Sequence, residues 1–248
     1  HCGIRKNKTK PDLALILSDR ECAAAGVYIR NLVKGAPITV TQRNIADGRA
    51  WAVICNSGIA NTCAPDGLEK AEAMCRVAAS ALGLKPEDII VASTGVIGPS
   101  LPIEPIANGM EALKASLSGE GSLAAATAIM TTDTVPKEAA VKFTVGGKTA
   151  YMGGISKGSG MIHPNMATML CFVTTDCAID PALLQKAVKT AADATFNMIS
   201  VDGDTSTNDT FMVLANGAAG NVEITEESED YAAFVEALTA VGRRLAMM

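Results

Sequence analysis

AWAVICNSGIANTCAPDGLEKAEAMCRVAASALGLKPEDIIVASTG, residues 50–95, carries two different periodicities on either side of a break. Ala50 to Cys55 is a short apolar run that stops at the turn-forming Asn56-Ser57-Gly58, and it reads as a buried strand. Leu68, Ala71, Cys75, Ala78 and Leu82 then recur at helical intervals, lining one face of a helix over Asp66 to Leu82. Lys85-Pro86-Glu87-Asp88 ends it, because proline lacks an amide hydrogen and biases the residue before it toward extended backbone. Ile89-Ile90-Val91-Ala92 follows as a second buried strand and delivers the chain to Ser93-Thr94-Gly95. Strand, helix and strand in succession predict an α/β protein with layered packing, in which helices cover apolar sheet faces.

The same alternation extends in both directions. Leu13 to Leu17, Ile38 to Gln42, Met169 to Thr174 and Thr210 to Ala215 read as strands. Lys142 to Thr144 and Lys148 to Met152 form a hairpin around Val145-Gly146-Gly147, where paired glycines supply the positive φ of a tight turn. Helices are expected over Ile103 to Ser116 and Ser122 to Met130. A further helix starts at Asp180-Pro181 and carries Leu184, Val188 and Ala191 on one face. Tyr231, Phe234, Leu238, Val241 and Leu245 mark the last helix. There is no internal repeat and no clear linker.

Composition removes several function classes. Of the 248 residues, 48% are hydrophobic and only 4% aromatic, so the core must be built from Ala, Val, Ile, Leu and Met. The net charge is −5 and no Lys/Arg cluster occurs, which leaves no basic footprint for nucleic acid. No run of about 18 apolar residues exists, so no membrane-spanning helix is expected. Cys2, Cys22, Cys55, Cys63, Cys75, Cys171 and Cys177 are odd in number and lack CxxC spacing; they read as thiols in a reducing cytoplasm rather than a disulfide framework. The chain begins without Met and ends inside a helical pattern without a stop signal, so sequence is expected to be missing, above all at the C-terminus.

Chemistry is narrowed by what is scarce. His1 and His163 are the only histidines, so a Ser-His-Asp or Cys-His enzyme would depend on His163 alone, and metal catalysis fails on ligand count. What remains is a nucleophile that carries its own base. A threonine hydroxyl needs such a base, and the α-amine of an N-terminal threonine, with a pKa of about 7.7–8.0, can serve. Thr168 would qualify once the Ala167–Thr168 bond is cut. Asp202, Asp204 and Asp209 in SVDGDTSTND imitate a calcium loop, but the closing Glu is absent and the segment reads as a structural loop. Met161, Met166 and Met169 are expected to pack the site wall. Taken alone, STG is a strand-ending turn and Lys157 a solvated loop lysine.

KGSGMIHPNMATML (157–170), continued by Cys171-Phe172-Val173-Thr174-Thr175-Asp176, closely resembles the cleavage-site signature of the ornithine acetyltransferase family, also called glutamate N-acetyltransferase. HCGIRKNKTKPDLALI, AAGVYIRNLVK, NSGIANTCAPDG, VASTGVIG, TAIMTTDTVPK and ISVDGDTSTNDT resemble it too, in the family's order and over essentially the whole chain. Ile59 is a departure, where the family usually has Asn. The resemblance implies the layered α-β-β-α fold of that family with its C-terminal part missing. It implies an α-chain region over 1–167 and the incomplete start of a β chain over 168–248, made by self-cleavage between Ala167 and Thr168. It further implies acetyl transfer from N-acetylornithine to glutamate through an acetyl-Thr168 intermediate, giving N-acetylglutamate and ornithine in arginine biosynthesis.

By the same resemblance Thr94 (hydroxyl) and Gly95 (backbone N–H) are the oxyanion donors, and Thr131, Lys157 and Thr168 bind substrate. No metal or cofactor is implied, acetyl-CoA stays open as a co-substrate, and the assembly is an α2β2 heterotetramer in the cytoplasm. Family members continue past position 248, so the substrate pocket is expected to be incomplete here. Two alternatives stand beside this reading: an N-terminal-nucleophile aminopeptidase, and an uncleaved, inactive fragment.

Overall fold

The computed structural model describes residues 1–161 and 169–248. In chain order the elements are β1 (Leu13–Tyr28), α1 (Ala36–Asn44), β2 (Arg49–Ile59), α2 (Gly67–Leu82), β3 (Ile89–Val96), α3 (Glu104–Ala115), α4 (Ser122–Ile129), β4 (Lys137–Val145), β5 (Lys148–Lys157), β6 (Leu170–Thr175), α5 (Pro181–Ala194), β7 (Thr210–Ala215) and α6 (Glu229–Met247). The strands form one hydrogen-bonded sheet in the order β3-β2-β1-β7-β6-β5-β4. The pairs β2–β3 and β6–β7 are parallel and the others antiparallel.

Strand β1 is where this sheet turns back on itself. Leu13 to Leu17 pair with β2, Ala23 to Tyr28 pair with β7, and the register breaks between Leu17 and Cys22. Side-chain alternation shows the consequence. Ala14, Val53 and Ile90 from the first half meet Ile155, Phe172 and Met212 from the second in one buried cluster. The opposite face of the first half, with Leu15, Ile54 and Val91, packs against Met74 of α2 and Ile106 of α3. The opposite face of the second half, with Cys171, Val173 and Phe211, packs against Leu184 of α5 and Phe234 of α6. Helices, half-sheet, half-sheet and helices therefore stack in the expected α-β-β-α order. Strands buried on both faces read as unbroken apolar runs, which is why residues 50–55 and 89–92 are so plain in the sequence.

One expected strand is a helix. Ile38 to Gln42 is rich in β-branched residues, yet it lies within α1, with Pro37 in the first turn. Tertiary context overrides propensity here. Ile38 joins the outer core of one half and Val40 that of the other. Thr41 Oγ1 donates to the Val91 carbonyl at 2.7 Å and accepts from the Val91 amide at 2.9 Å, while Asn44 Nδ2 donates to the Ile89 carbonyl at 2.9 Å. These side chains satisfy the outer edge of β3, the task another strand would have performed with its backbone. Strand β1 also runs far beyond Leu17, through a polar irregularity and the Ala23-Ala24-Ala25 run that carries no strand signal of its own.

Candidate active site

Folding the sheet brings the C-terminal end of β3 over the C-terminal end of β5. Four strands lie between them in the sheet order, yet Lys157 Nζ donates to Thr94 Oγ1 at 3.4 Å. Both side chains point into the space between the half-sheets and are buried, Lys157 to 3% and Thr94 to 7% exposure. Lys157 has no carboxylate within ion-pair distance among the described residues. Burial lowers its pKa, against the nearby Asp133 carboxylate, which favours the charged form. The Lys157 ammonium occupies a lone pair of Thr94, which leaves the threonine's single O–H proton free to point elsewhere.

Gly95 follows on the exposed side, with φ of +135°. A Cβ there would lie 2.2 Å from the Gly58 carbonyl carbon, its partner across the parallel β2–β3 pair. Glycine is thus required both by the backbone conformation and by the close approach of the two strands. Thr131, just after α4, is half-buried and donates its amide to Asp133 Oδ2 at 3.1 Å. Asp133 Oδ1 accepts from Lys137 Nζ at 2.6 Å and from the Gly158 amide at 2.7 Å. One buried carboxylate therefore ties Thr131 to the backbone beside Lys157. Burial opposes its ionisation, but Lys137, the Gly158 amide and Lys157 together hold its pKa below the ordinary carboxylate value.

Ala167 and Thr168, with His163, Pro164 and Met166, lie outside the described residues. Met169, the residue after Thr168, is buried. Its amide donates to Asp209 Oδ1 at 3.0 Å, and its carbonyl accepts from the Thr210 amide at 2.9 Å. Met161, expected in the site wall, is exposed.

Several contributors were not assigned to the site from the sequence. Arg5 reaches the end of β2, its Nε donating to the Ser57 carbonyl at 3.2 Å and its Nη2 to the Met130 carbonyl. Asp12, fully buried, accepts the amides of Cys2, Gly3, Ile4 and Arg5 and so folds the N-terminal segment against this end of the molecule. Asp209 separates from Asp202 and Asp204, which are exposed. It is 1% exposed, and burial pushes its carboxyl up to about 8, against Ser206, the Met169 amide and the charge of Lys157. No group of three or more metal-ligating side chains occurs among the described residues. The only available signals were aspartates inside TTDTVPK and STNDT, two of many surface-like acidic residues in the sequence.

A separate cleft of about 760 Å³ opens between Ala14 and Ile16 of β1, Ile155 and Phe172 of β5 and β6, and Ala125 and Ala128 of α4. Neither Thr94, Lys157 nor Thr131 lines it, and its walls are mainly apolar. The polar cluster around Thr94 and Lys157 therefore lies outside this cleft. No helix of the described residues is long and apolar enough to cross a membrane.

The chain is similar in sequence and fold to several known proteins. A relative from Symbiobacterium thermophilum, described as arginine biosynthesis bifunctional protein ArgJ, is 55% identical over 233 residues, 94% of this chain and 58% of its own length. The chain thus spans less than two thirds of that relative. The crystal structure of the Bacillus halodurans arginine biosynthesis bifunctional protein ArgJ is 43% identical, with a TM-score of 0.62 over 67% of this chain and 87% of that one. The ornithine acetyltransferase of Mycobacterium tuberculosis, solved in complex with ornithine, is 34% identical, with a TM-score of 0.58 over 68% of this chain and 89% of that one. The ArgJ family model matches residues 1–248 from end to end, and the chain belongs to the ArgJ family.

Proposed function

We propose that the protein is an acyltransferase of arginine biosynthesis that moves acetyl from N2-acetyl-L-ornithine to L-glutamate on Thr168, after cutting its own chain between Ala167 and Thr168. The observation that carries the proposal is the buried contact between Lys157 and Thr94 beside Gly95, eleven residues upstream of Thr168 in the sequence. A buried ammonium with no carboxylate in ion-pair distance among the described residues suits an amino-acid substrate that brings one.

In maturation, Thr168 Oγ attacks the Ala167 carbonyl carbon, the C–N bond breaks, and the departing Thr168 nitrogen takes the proton. Water then hydrolyses the resulting ester, releasing the Ala167 carboxylate and a free N-terminal threonine. In transfer, the Thr168 α-amine accepts the hydroxyl proton as Oγ attacks the acetyl carbonyl, and ornithine leaves carrying that proton on its amine. The α-amine of glutamate then attacks the acetyl ester and regenerates Thr168. Each step builds an oxyanion, for which the Thr94 hydroxyl and the Gly95 amide are the donors; one such donor contributes about 2.7–4 kcal/mol. Lys157 and Thr131 hold the substrate's polar groups. No cofactor enters these steps, and acetyl-CoA is open as an alternative donor. The cut chains would assemble as an α2β2 heterotetramer in the cytoplasm, with residues beyond those present here completing the pocket.

Denaturing mass spectrometry of the purified protein tests maturation: two fragments meeting at Ala167/Thr168 are expected, and only the intact chain in Thr168→Ala. Incubation with N-acetylornithine should then give N-acetylglutamate when glutamate is supplied. Release of free acetate at the same rate without glutamate would instead identify a hydrolase and sink the transfer reading.

A further inference from the structure

Asn208 and Asp209 stand side by side where the chain enters β7, and their side chains grip two different parts of the molecule. The Asn208 carboxamide uses its full bonding capacity. Nδ2 donates to the Ala60 carbonyl at 2.7 Å and to the Ser93 carbonyl at 2.9 Å, while Oδ1 accepts from Thr62 Oγ1 at 2.7 Å and from Thr207 Oγ1 at 2.5 Å. Gly35 closes over it, and a Cβ on Gly35 would lie 2.6 Å from Nδ2. Asp209 is anchored by its own carbonyl, which accepts the Ile29 amide at 3.1 Å, and its Oδ1 holds the Met169 amide at 3.0 Å. Asp209 Oδ2 has no hydrogen-bond partner among the described residues.

The two grips fall on residues next to chemistry. Ser93 immediately precedes Thr94 and Gly95, and Met169 immediately follows Thr168. Strands β3 and β6 are separated by β2, β1 and β7, so no backbone ladder sets one directly against the other. We propose that Asn208 and Asp209 are positioning residues, a two-residue brace that fixes the oxyanion pair at the end of β3 relative to the backbone entering β6. The inference rests on the assignment of Thr168 as the nucleophile. Among the described residues, each acts through a neighbour it holds. Because burial keeps the Asp209 carboxyl largely neutral near pH 7, an amide of the same shape can take over its grip on Met169.

The test uses the protein as it is naturally made, following cleavage at Ala167–Thr168 and then acetyl transfer. Asn208→Ala and Asp209→Ala should each slow cleavage and lower kcat about tenfold or more, with KM little changed, since small misplacements of reacting groups are expensive in rate. Asp209→Asn keeps an acceptor for the Met169 amide and should stay within about threefold of wild type on the same scale. Val188→Ala, in the outer helix layer, serves as a control of matched thermal stability that cleaves normally. If Asn208→Ala does not fold, Asn208→Ser replaces it.

The brace is overturned if the Asn208 variant cleaves as fast as the Val188 control. It is equally overturned if Asp209→Asn is as slow as Asp209→Ala, which would make the carboxyl itself, not its grip, the functional feature. A wild type that cleaves while Thr168→Ala does not keeps the nucleophile assignment whatever the brace variants do. An uncleaved wild type overturns both.

Discussion

Lys157 and Asp209 occupy one buried region and show how a site can hold ionisable groups without pairing them. Lys157 rests on a threonine hydroxyl, and Asp209 on an amide hydrogen. Substituting Lys157 by Met preserves the volume of the aliphatic stem and removes only the charge. If the ammonium receives the substrate carboxylate, Lys157→Met should lower kcat/KM for transfer about 100-fold, the equivalent of roughly 2.7 kcal/mol and within the range for truncating one partner of a buried charge pair. Steady-state kinetics with glutamate and N-acetylornithine check it, and an unchanged kcat/KM would remove Lys157 from substrate binding.

Asp209 makes a pH prediction whose sign follows from its raised pKa. The folded carboxyl titrates near 8 instead of the ordinary 3.8. Between those values the folded state keeps a proton that the unfolded chain releases, so this residue's contribution to stability falls as pH rises through the window and is constant above it. Asp209→Asn cannot ionise. Its melting temperature relative to wild type should therefore rise from pH 4.5 to pH 8, values set inside that window. A difference that stays flat across these melts would mean that the folded carboxyl is ionised throughout.

At the scale of elements, helix α1 substitutes side chains for a missing strand. Thr41 supplies both partners of the Val91 backbone groups. Thr41→Val is nearly isosteric yet leaves a buried amide and carbonyl unpaired, and it should destabilise the protein by about 1–3 kcal/mol in chemical denaturation. Surface threonines such as Thr39 on the same helix should change stability by less than about 0.5 kcal/mol when replaced by Ala. The β-branched sequence Ile38-Thr39-Val40-Thr41 carries a strand signal because strand propensity measures how a side chain fits a half-buried surface. Here that surface is the junction of two outer cores, and a helix reaches both. By contrast, α5 follows its apolar spacing closely, while α2 buries Ala71, Cys75 and Ala78 as expected but leaves Leu68 exposed and Leu82 half-buried, its buried stripe running through Met74 and Ala79 instead.

Across the whole molecule, the middle layer is the decisive contact. Met212, fully buried, packs with Val53 and Ile90 from the other half of the sheet. Met212→Ala should lower stability by about 2–5 kcal/mol, as for other large-to-small changes in a close-packed core. Hydrogen exchange should report the loss in α2 as well as in α5, because the inner core joins both halves. Protection lost in only one helix layer would show that the halves unfold separately.

The same layer explains which parts of the site were legible beforehand. The sequence by itself determined the α/β alternation, the positions of most strands and helices, and the scarcity of histidine, because periodicity and composition are local properties of the chain. Through its resemblance it also pointed to Thr94, Gly95, Thr131 and Lys157. Only the tertiary structure decided that β1 folds the sheet over, that Lys157 meets Thr94 across that fold, and that the loop residues Asp133, Asn208 and Asp209 are buried supports rather than exposed ones. The physical reason is separation. These contacts join residues tens to more than a hundred positions apart, and an aspartate or asparagine has the same local signature whether it faces water or holds a buried amide.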